Sequence, residues 1–217
     1  VPGRGHSSPI VVGDKIFLTT ADNSAQIQSV LAFDRATGEQ LWQTEVSSGG
    51  FPPKIHGKNT HASPTALSDG KGVFATFFSH GKVTLVALTT SGREVWKVEA
   101  GDFEPKYDFG YGATPLLYGE TVIVAAEHEK GGQLAAYDKK TGRRVWKTSR
   151  RKSTNYSTPI VANVAGKEQL LLSGGNEVTS YDPRSGRKNW SARGTANTTC
   201  GTLVWDGDFV FASGGYP

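Results

Sequence analysis

Three side chains of metal-ligating type, His6, His61 and Cys200, share one offset in this sequence. Each stands three positions before the second residue of a recurring dipeptide: Ser8-Pro9, Ser63-Pro64 and, at the matching site of a last unit, Thr202-Leu203. Gly112 and Tyr156 hold the same place before Thr114-Pro115 and Thr158-Pro159. Imidazole and thiolate bind zinc when they converge within about 2.0–2.3 Å of one point. The competing reading is a ring of side chains filling a channel mouth. Glu127-His128-Glu129 has the composition of an acid/base cluster, but beside Lys130-Gly131-Gly132 it reads as a solvated loop. The run Asp102-Phe103-Glu104-Pro105-Lys106-Tyr107-Asp108-Phe109-Gly110-Tyr111 mixes carboxylates with aromatics, which suits a sugar or a peptide, or simply a loop packed over a rim. Lys147-Thr148-Ser149-Arg150-Arg151-Lys152 is the densest basic tract. It reads as a solvated face, and without interleaved stacking aromatics it does not point to nucleic acid.

These groups must be positioned by something, and the sequence shows what. The stretch Ala32-Phe33-Asp34-Arg35-Ala36-Thr37-Gly38-Glu39-Gln40-Leu41-Trp42 recurs three more times, ending at Trp96, Trp146 and Trp190. Gly38, Gly92, Gly142 and Gly186 each precede their Trp by four residues, and each follows Thr or Ser. Asp34, Asp138 and Asp182 stand four residues before the Gly; Leu88 has that place in the second copy, which is expected to make its turn the weakest. The Trp residues are spaced by 54, 50 and 44 residues, a period that signals propeller blades or solenoid repeats. Between the markers lie short Val/Ile/Leu/Phe/Thr-rich runs cut by Gly-Asp, Asp-Gly and Thr-Gly, four per repeat. Each repeat is therefore a four-stranded meander. The Asp carboxylate is expected to accept backbone N–H bonds within its turn, the Gly to supply positive φ, and the Trp, on the outermost strand, to wedge against the neighbouring unit.

The predicted architecture is all-β: one partial β-propeller over residues 1–217, with units at about 1–46, 47–98, 99–148, 149–192 and 193–217. That is four full four-stranded antiparallel blades and half of a fifth, part of a ring of seven or eight. The 217 residues carry 24 Lys and Arg against 20 Asp and Glu, a mild excess scattered in small clusters. No apolar run approaches the roughly 18 residues of a membrane span. One cysteine excludes an internal disulfide and leaves the redox compartment open. With no Met and no signal peptide, the chain is expected to be a processed or excised piece of a longer one. Loops that join the fourth strand to the next first strand, and the second to the third, share one rim. These are the long, varied ones, Ser47 to Thr60 and Ala100 to Gly112 among them, and varied loops on a rigid repeat are where binding sits.

The four in-phase copies resemble the quinoprotein-type, PQQ-like propeller repeat, whose docking motif reads AxDxxTGxxxW. The resemblance covers nearly the whole chain. It implies radial blades with the first strand lining a central channel and the Trp-bearing strand outside. The family holds pyrroloquinoline quinone dependent dehydrogenases and non-catalytic members such as the envelope scaffold of the outer-membrane β-barrel assembly machinery. The enzymes use a pair of adjacent cysteines beside the quinone, which this chain lacks, and their calcium-binding and base residues cannot be placed on it. The resemblance thus implies a bacterial, secreted or periplasmic scaffold that binds a protein or glycan through its loop rim and joins the remaining blades of a parent chain. No cofactor is expected; the alternative, a dehydrogenase fragment, would bring the quinone with calcium.

Overall fold

The computed structural model describes residues 1–214; the last three residues of the fifth unit lie outside the described residues. The chain is a succession of antiparallel meanders. The first sheet comprises β1 (Ile10–Val12), β2 (Lys15–Asp22), β3 (Ile27–Asp34) and β4 (Gln40–Ser48), and the second β5 (Leu67–Ser68), β6 (Gly72–Ser79), β7 (Lys82–Thr89) and β8 (Glu94–Asp102). The third comprises β9 (Leu116–Tyr118), β10 (Thr121–Ala126), β11 (Gly132–Asp138) and β12 (Arg144–Arg150), and the fourth β13 (Ile160–Val164), β14 (Lys167–Gly174), β15 (Glu177–Tyr181) and β16 (Lys188–Arg193). A hairpin of β17 (Val204–Asp206) and β18 (Phe209–Phe211) follows. This is the all-β, four-stranded blade architecture, in an array that is not closed.

The middle strands make the core because they are apolar on both faces. Phe74, Leu85 and Ala87 meet Val122, Val124 and Ala135 of the third sheet, while the alternate residues Val73, Ala75, Phe77, Val86 and Leu88 meet Phe17, Val30 and Ala32 of the first. Each inter-sheet layer is thus one side of two period-two patterns, the arrangement that parcels a repeat protein's core between neighbours. Pro9, Pro115 and Pro159 stand immediately before β1, β9 and β13, and Pro64 three residues before β5, because proline brings no N–H to a ladder. In the first blade the connection between β2 and β3 is only residues 23–26. There Asp22 accepts the Ser24 and Ala25 amides at 2.8 and 2.9 Å, which closes a turn tight enough for pairing to run to Asp22 and Ile27.

The docking turns show what the repeated residues do. Asp34 Oδ1 accepts the amides of Ala36 and Thr37, both at 2.8 Å, and Asp138 accepts those of Lys140 and Thr141. In the second blade the turn is one residue shorter, and Thr89 rather than Leu88 takes the Asp place. Its amide donates to the Arg93 carbonyl at 2.8 Å, as Asp34 does to Glu39, and its hydroxyl accepts the Arg93 amide at 3.1 Å. Leu88 is a fully buried strand residue; counting back from the Gly misassigned it because the turn lengths differ.

Backbone amides of Thr37 and then Ala36 hold the Asp34 carboxyl below its usual range, and the Thr141 hydroxyl does so first for Asp138. A carboxyl lowered in the folded state contributes stability that is present above the unfolded-state pKa and lost as pH falls through the folded one. Melting curves of Asp138→Asn and the unmodified protein should therefore differ at pH 7 and draw together as pH falls below the ordinary carboxylate range; an unchanged gap would refute this.

Positive φ is only half of the glycine requirement. A Cβ on Gly92 would come within 2.7 Å of the Trp42 ring, one on Gly142 within 2.8 Å of Trp96, and one on Gly186 closer still to Trp146. Each glycine is the floor on which the preceding blade's indole lies. Gly38, at φ 75°, has open space where the Cβ would go. In a denaturant titration Gly38→Ala should cost about 1–2 kcal/mol of left-handed strain alone, and Gly142→Ala clearly more, because ring and backbone must part. Equal losses would remove the steric half of this account.

Candidate functional site

The loop rim is built on the ends of β4, β8 and β12. From β8 the chain runs through Phe103 and Tyr111, which are buried in the core and stack edge-on at 5.2 Å. The tip between them is held by its neighbours. The His56 amide donates to the Asp108 carbonyl at 2.7 Å, the Asn59 side chain donates to the Phe109 carbonyl, and the Lys106 amide donates to Glu129 at 3.0 Å. The Thr154 hydroxyl donates to the same carboxylate. Loops of the second, third and fourth blades are thereby joined around one tip, which presents Tyr107 and Phe109 at 44% and 43% exposure. Phe109 lies 5.2 Å from the His56 ring, 5.9 Å from Tyr107 and 6.1 Å from Tyr156. The loop both packs over the rim through Phe103 and Tyr111 and leaves aromatics outside it.

Glu127 and His128 are not the solvated residues their sequence context suggests; each is only 4% exposed. Glu127 Oε1 accepts from Arg150 Nε at 2.7 Å, and Oε2 accepts from the Asn155 amide group at 3.0 Å. Arg150 Nη1 donates to the Tyr181 hydroxyl at 2.6 Å. Arg150 therefore departs from the expected basic face: it is an interior cation linking the third blade to the fourth. Burial opposes its charge, and Glu127, followed by Tyr181, outweighs that and raises the guanidinium above its ordinary range. Arg151 and Lys152 remain exposed, and Arg151 pairs with Glu177 at 3.0 Å. Asn155 also accepts the Thr199 amide and hydroxyl at 2.9 and 2.8 Å. This extends the network to the segment before β17.

The channel-mouth column is not gathered into a metal centre. His6 is exposed and its amide donates to the Ala62 carbonyl at 3.0 Å. His61 stacks on Phe51 at 4.1 Å, and burial lowers its pKa. Cys200 is an exposed free thiol. Among the described residues no group of three or more His, Cys, Asp or Glu is placed to hold a metal ion. Pyrroloquinoline quinone with calcium would need an adjacent cysteine pair and a carboxylate set, and the described residues do not assemble them. What the column's neighbours do is structural. The amide of Ser8 donates to the Thr65 hydroxyl at 3.1 Å, that of Thr65 to Thr114 at 3.1 Å, and that of Thr114 to Thr158 at 3.2 Å. A hydroxyl ladder thus stitches successive blades around the inside. Thr114 and Thr158 are the residues before Pro in the recurring dipeptide, whereas in the second blade the hydroxyl is that of Thr65, one place after Pro64, and not that of Ser63.

Of the four docking indoles, three bridge blades. Trp42 Nε1 donates to the Thr90 carbonyl at 3.2 Å, Trp96 to Lys139 at 3.1 Å and Trp146 to Pro183 at 3.1 Å. Trp190 departs from the expectation. It is 36% exposed and donates to Gln169 Oε1 of its own blade at 2.7 Å, since the described fifth unit holds only β17 and β18 and no third-to-fourth-strand turn to receive it.

Radial four-stranded sheets, indoles seated on the next blade's Gly turn and a hydroxyl ladder on the inside define a PQQ-like β-propeller. A family model described as outer membrane protein assembly factor BamB matches residues 1–48 and 26–217, and the chain belongs to that family. The outer membrane protein assembly factor BamB of Burkholderia pseudomallei (strain K96243) is 27% identical over 146 residues, 66% of this chain and 30% of that protein. BamB from Moraxella catarrhalis superposes with a TM-score of 0.59 at 19% identity, over 89% of this chain and 53% of that one. The quinohemoprotein alcohol dehydrogenase ADHIIG from Pseudomonas putida HK5 gives 0.58 at 14% identity, over 89% of this chain and 34% of that one. The chain thus spans about a third to a half of the length of these relatives, and the structural likenesses describe the fold alone.

Proposed function

We propose that this chain is a non-catalytic propeller scaffold of the bacterial cell envelope, which holds a partner protein of outer-membrane protein assembly on its loop rim. The observation that carries the reading is the rim tip at Tyr107 to Phe109, pinned by three neighbouring loops and still exposed, on a chain that matches the assembly-factor family from end to end. A rigid platform with protruding aromatics is what a docking surface needs. Among the described residues no helix is long and apolar enough to cross a membrane, and the remaining blades of a longer chain would complete the ring. Cross-linking in cells with an amine-reactive reagent, followed by mass spectrometry, tests this. Links from Lys54, Lys58, Lys106 and Lys152 should concentrate on one envelope protein; links scattered evenly over lysines of both rims would overturn it. The alternative, a segment of a quinone-dependent dehydrogenase, predicts a saturable chromophore on adding pyrroloquinoline quinone with calcium.

A further inference from the structure

The rim tip has a chemical character that narrows its partner. Several of its polar groups hold the loops together: Asn59 serves the Phe109 carbonyl and accepts from Ser63, and Glu129 takes the Thr154 hydroxyl and the Lys106 amide. The Asp108 carbonyl takes the His56 amide, and His56 Nδ1 accepts the Lys58 amide at 3.2 Å. What remains for a ligand is aromatic surface, the Tyr107 hydroxyl, the Asp108 carboxylate and ammonium charge. Lys106 Nζ lies 5.2 Å from the Tyr107 ring centre. Lys54 and Lys58 flank His56 on the adjoining loop, and Lys152 precedes Thr154 on the next. None of these four lysines is in an ion pair among the described residues. Of the carboxylates on these loops Asp102 and Glu104 pair with Lys82 and Lys130, which leaves Asp108 and Glu129 against the four lysines.

Resting on the scaffold reading above, we propose that Tyr107 and Phe109, with Lys106 beside them and Lys54, Lys58 and Lys152 on the loops that pin the tip, anchor an acidic segment of the partner protein that lays one large apolar side chain against the Phe109 ring. Charge complementarity steers and selects the segment, and the apolar contact retains it. The pinned loop loses little freedom on binding, which favours a short linear segment over a partner that must reorganise the rim.

Two labelled peptides with identical Leu and Phe positions test the assignment, one with Asp and Glu between them and one with Lys, read by fluorescence anisotropy. The acidic peptide should bind at least about tenfold more tightly at low salt, with the advantage shrinking as the Debye length falls to about 3 Å near 1 M salt. Tyr107→Ser with Phe109→Ser should weaken it by about tenfold or more. Lys58→Glu with Lys106→Glu should reverse the preference while melting is unchanged. Equal affinities, no binding of either peptide, or full binding by the serine double variant would overturn the proposal. So would loss, in that variant, of binding to a neutral oligosaccharide panel when neither peptide binds. Cross-links that still converge on one envelope protein while the peptides fail would leave the scaffold reading standing without this one; scattered cross-links would remove the scaffold reading itself.

Discussion

Arg150→Ala is expected to lower the free energy of unfolding by about 3–5 kcal/mol, because it leaves a carboxylate buried without its counter-ion. The two side chains are 3% and 4% exposed and meet at 2.7 Å. In such surroundings a charge that has lost its partner keeps its desolvation cost and forfeits the compensation. Arg150 also covers the Tyr181 ring, its guanidinium carbon 5.6 Å from the ring centre, so truncation opens the seam between the third and fourth blades. A urea titration reads the loss directly. The diagnostic comparison is a double-mutant cycle with Glu127→Ala: the double variant should be no less stable than the worse single one, since removing both charges removes the orphan. Additive losses would show that the two groups act separately and would sink the ion-pair account. Arg151→Ala, one residue on, removes a guanidinium that is itself 54% exposed, and its buried partner Glu177 keeps Lys188 at 3.8 Å and the Thr179 hydroxyl at 3.1 Å, so its loss should be smaller than that of Arg150→Ala.

Trp146→Ala should cost about 3–5 kcal/mol, and Trp190→Ala less than half as much. Both residues occupy the same place in their repeats, and only their surroundings differ. Trp146 is 9% exposed, packs with Tyr181, Leu170 and Leu172, donates across the blade boundary to Pro183, and roofs Gly186. Its removal leaves a cavity between two sheets that cannot collapse without moving both. Trp190 is 36% exposed, and its hydrogen bond stays inside its own blade. Denaturant titrations of the two variants, with the slope monitored for loss of cooperativity, give the comparison; matching losses would mean that the indole's worth is set within the blade rather than by the neighbour it covers. The exposed end beside it, where Val204, Trp205, Phe209 and Phe211 face outward, marks where a further blade or partner has most to add.

The repeat period, the strand count per unit and the Asp, Gly and Trp positions are determined by the sequence alone, because each depends on local geometry. A Thr/Ser-Gly turn needs left-handed φ, an apolar run of alternating faces makes a strand, and both are written in consecutive residues. What the neighbours supply could be decided only by the tertiary structure. Glu127 and Arg150 sit in stretches that look solvated, Gly-rich in one case and basic in the other, and become interior because the third blade's strands bring them within hydrogen-bond distance and Tyr181 and Asn155 of the fourth unit meet them there. Thr89 takes the place of an aspartate because turn length, not spacing from Gly92, sets the alignment. His6, His61 and Cys200 share a column in the repeat, yet the described structure does not gather them into one group of ligands. Residue type fixed what each side chain could do, and the angle between sheets fixed which of them could meet.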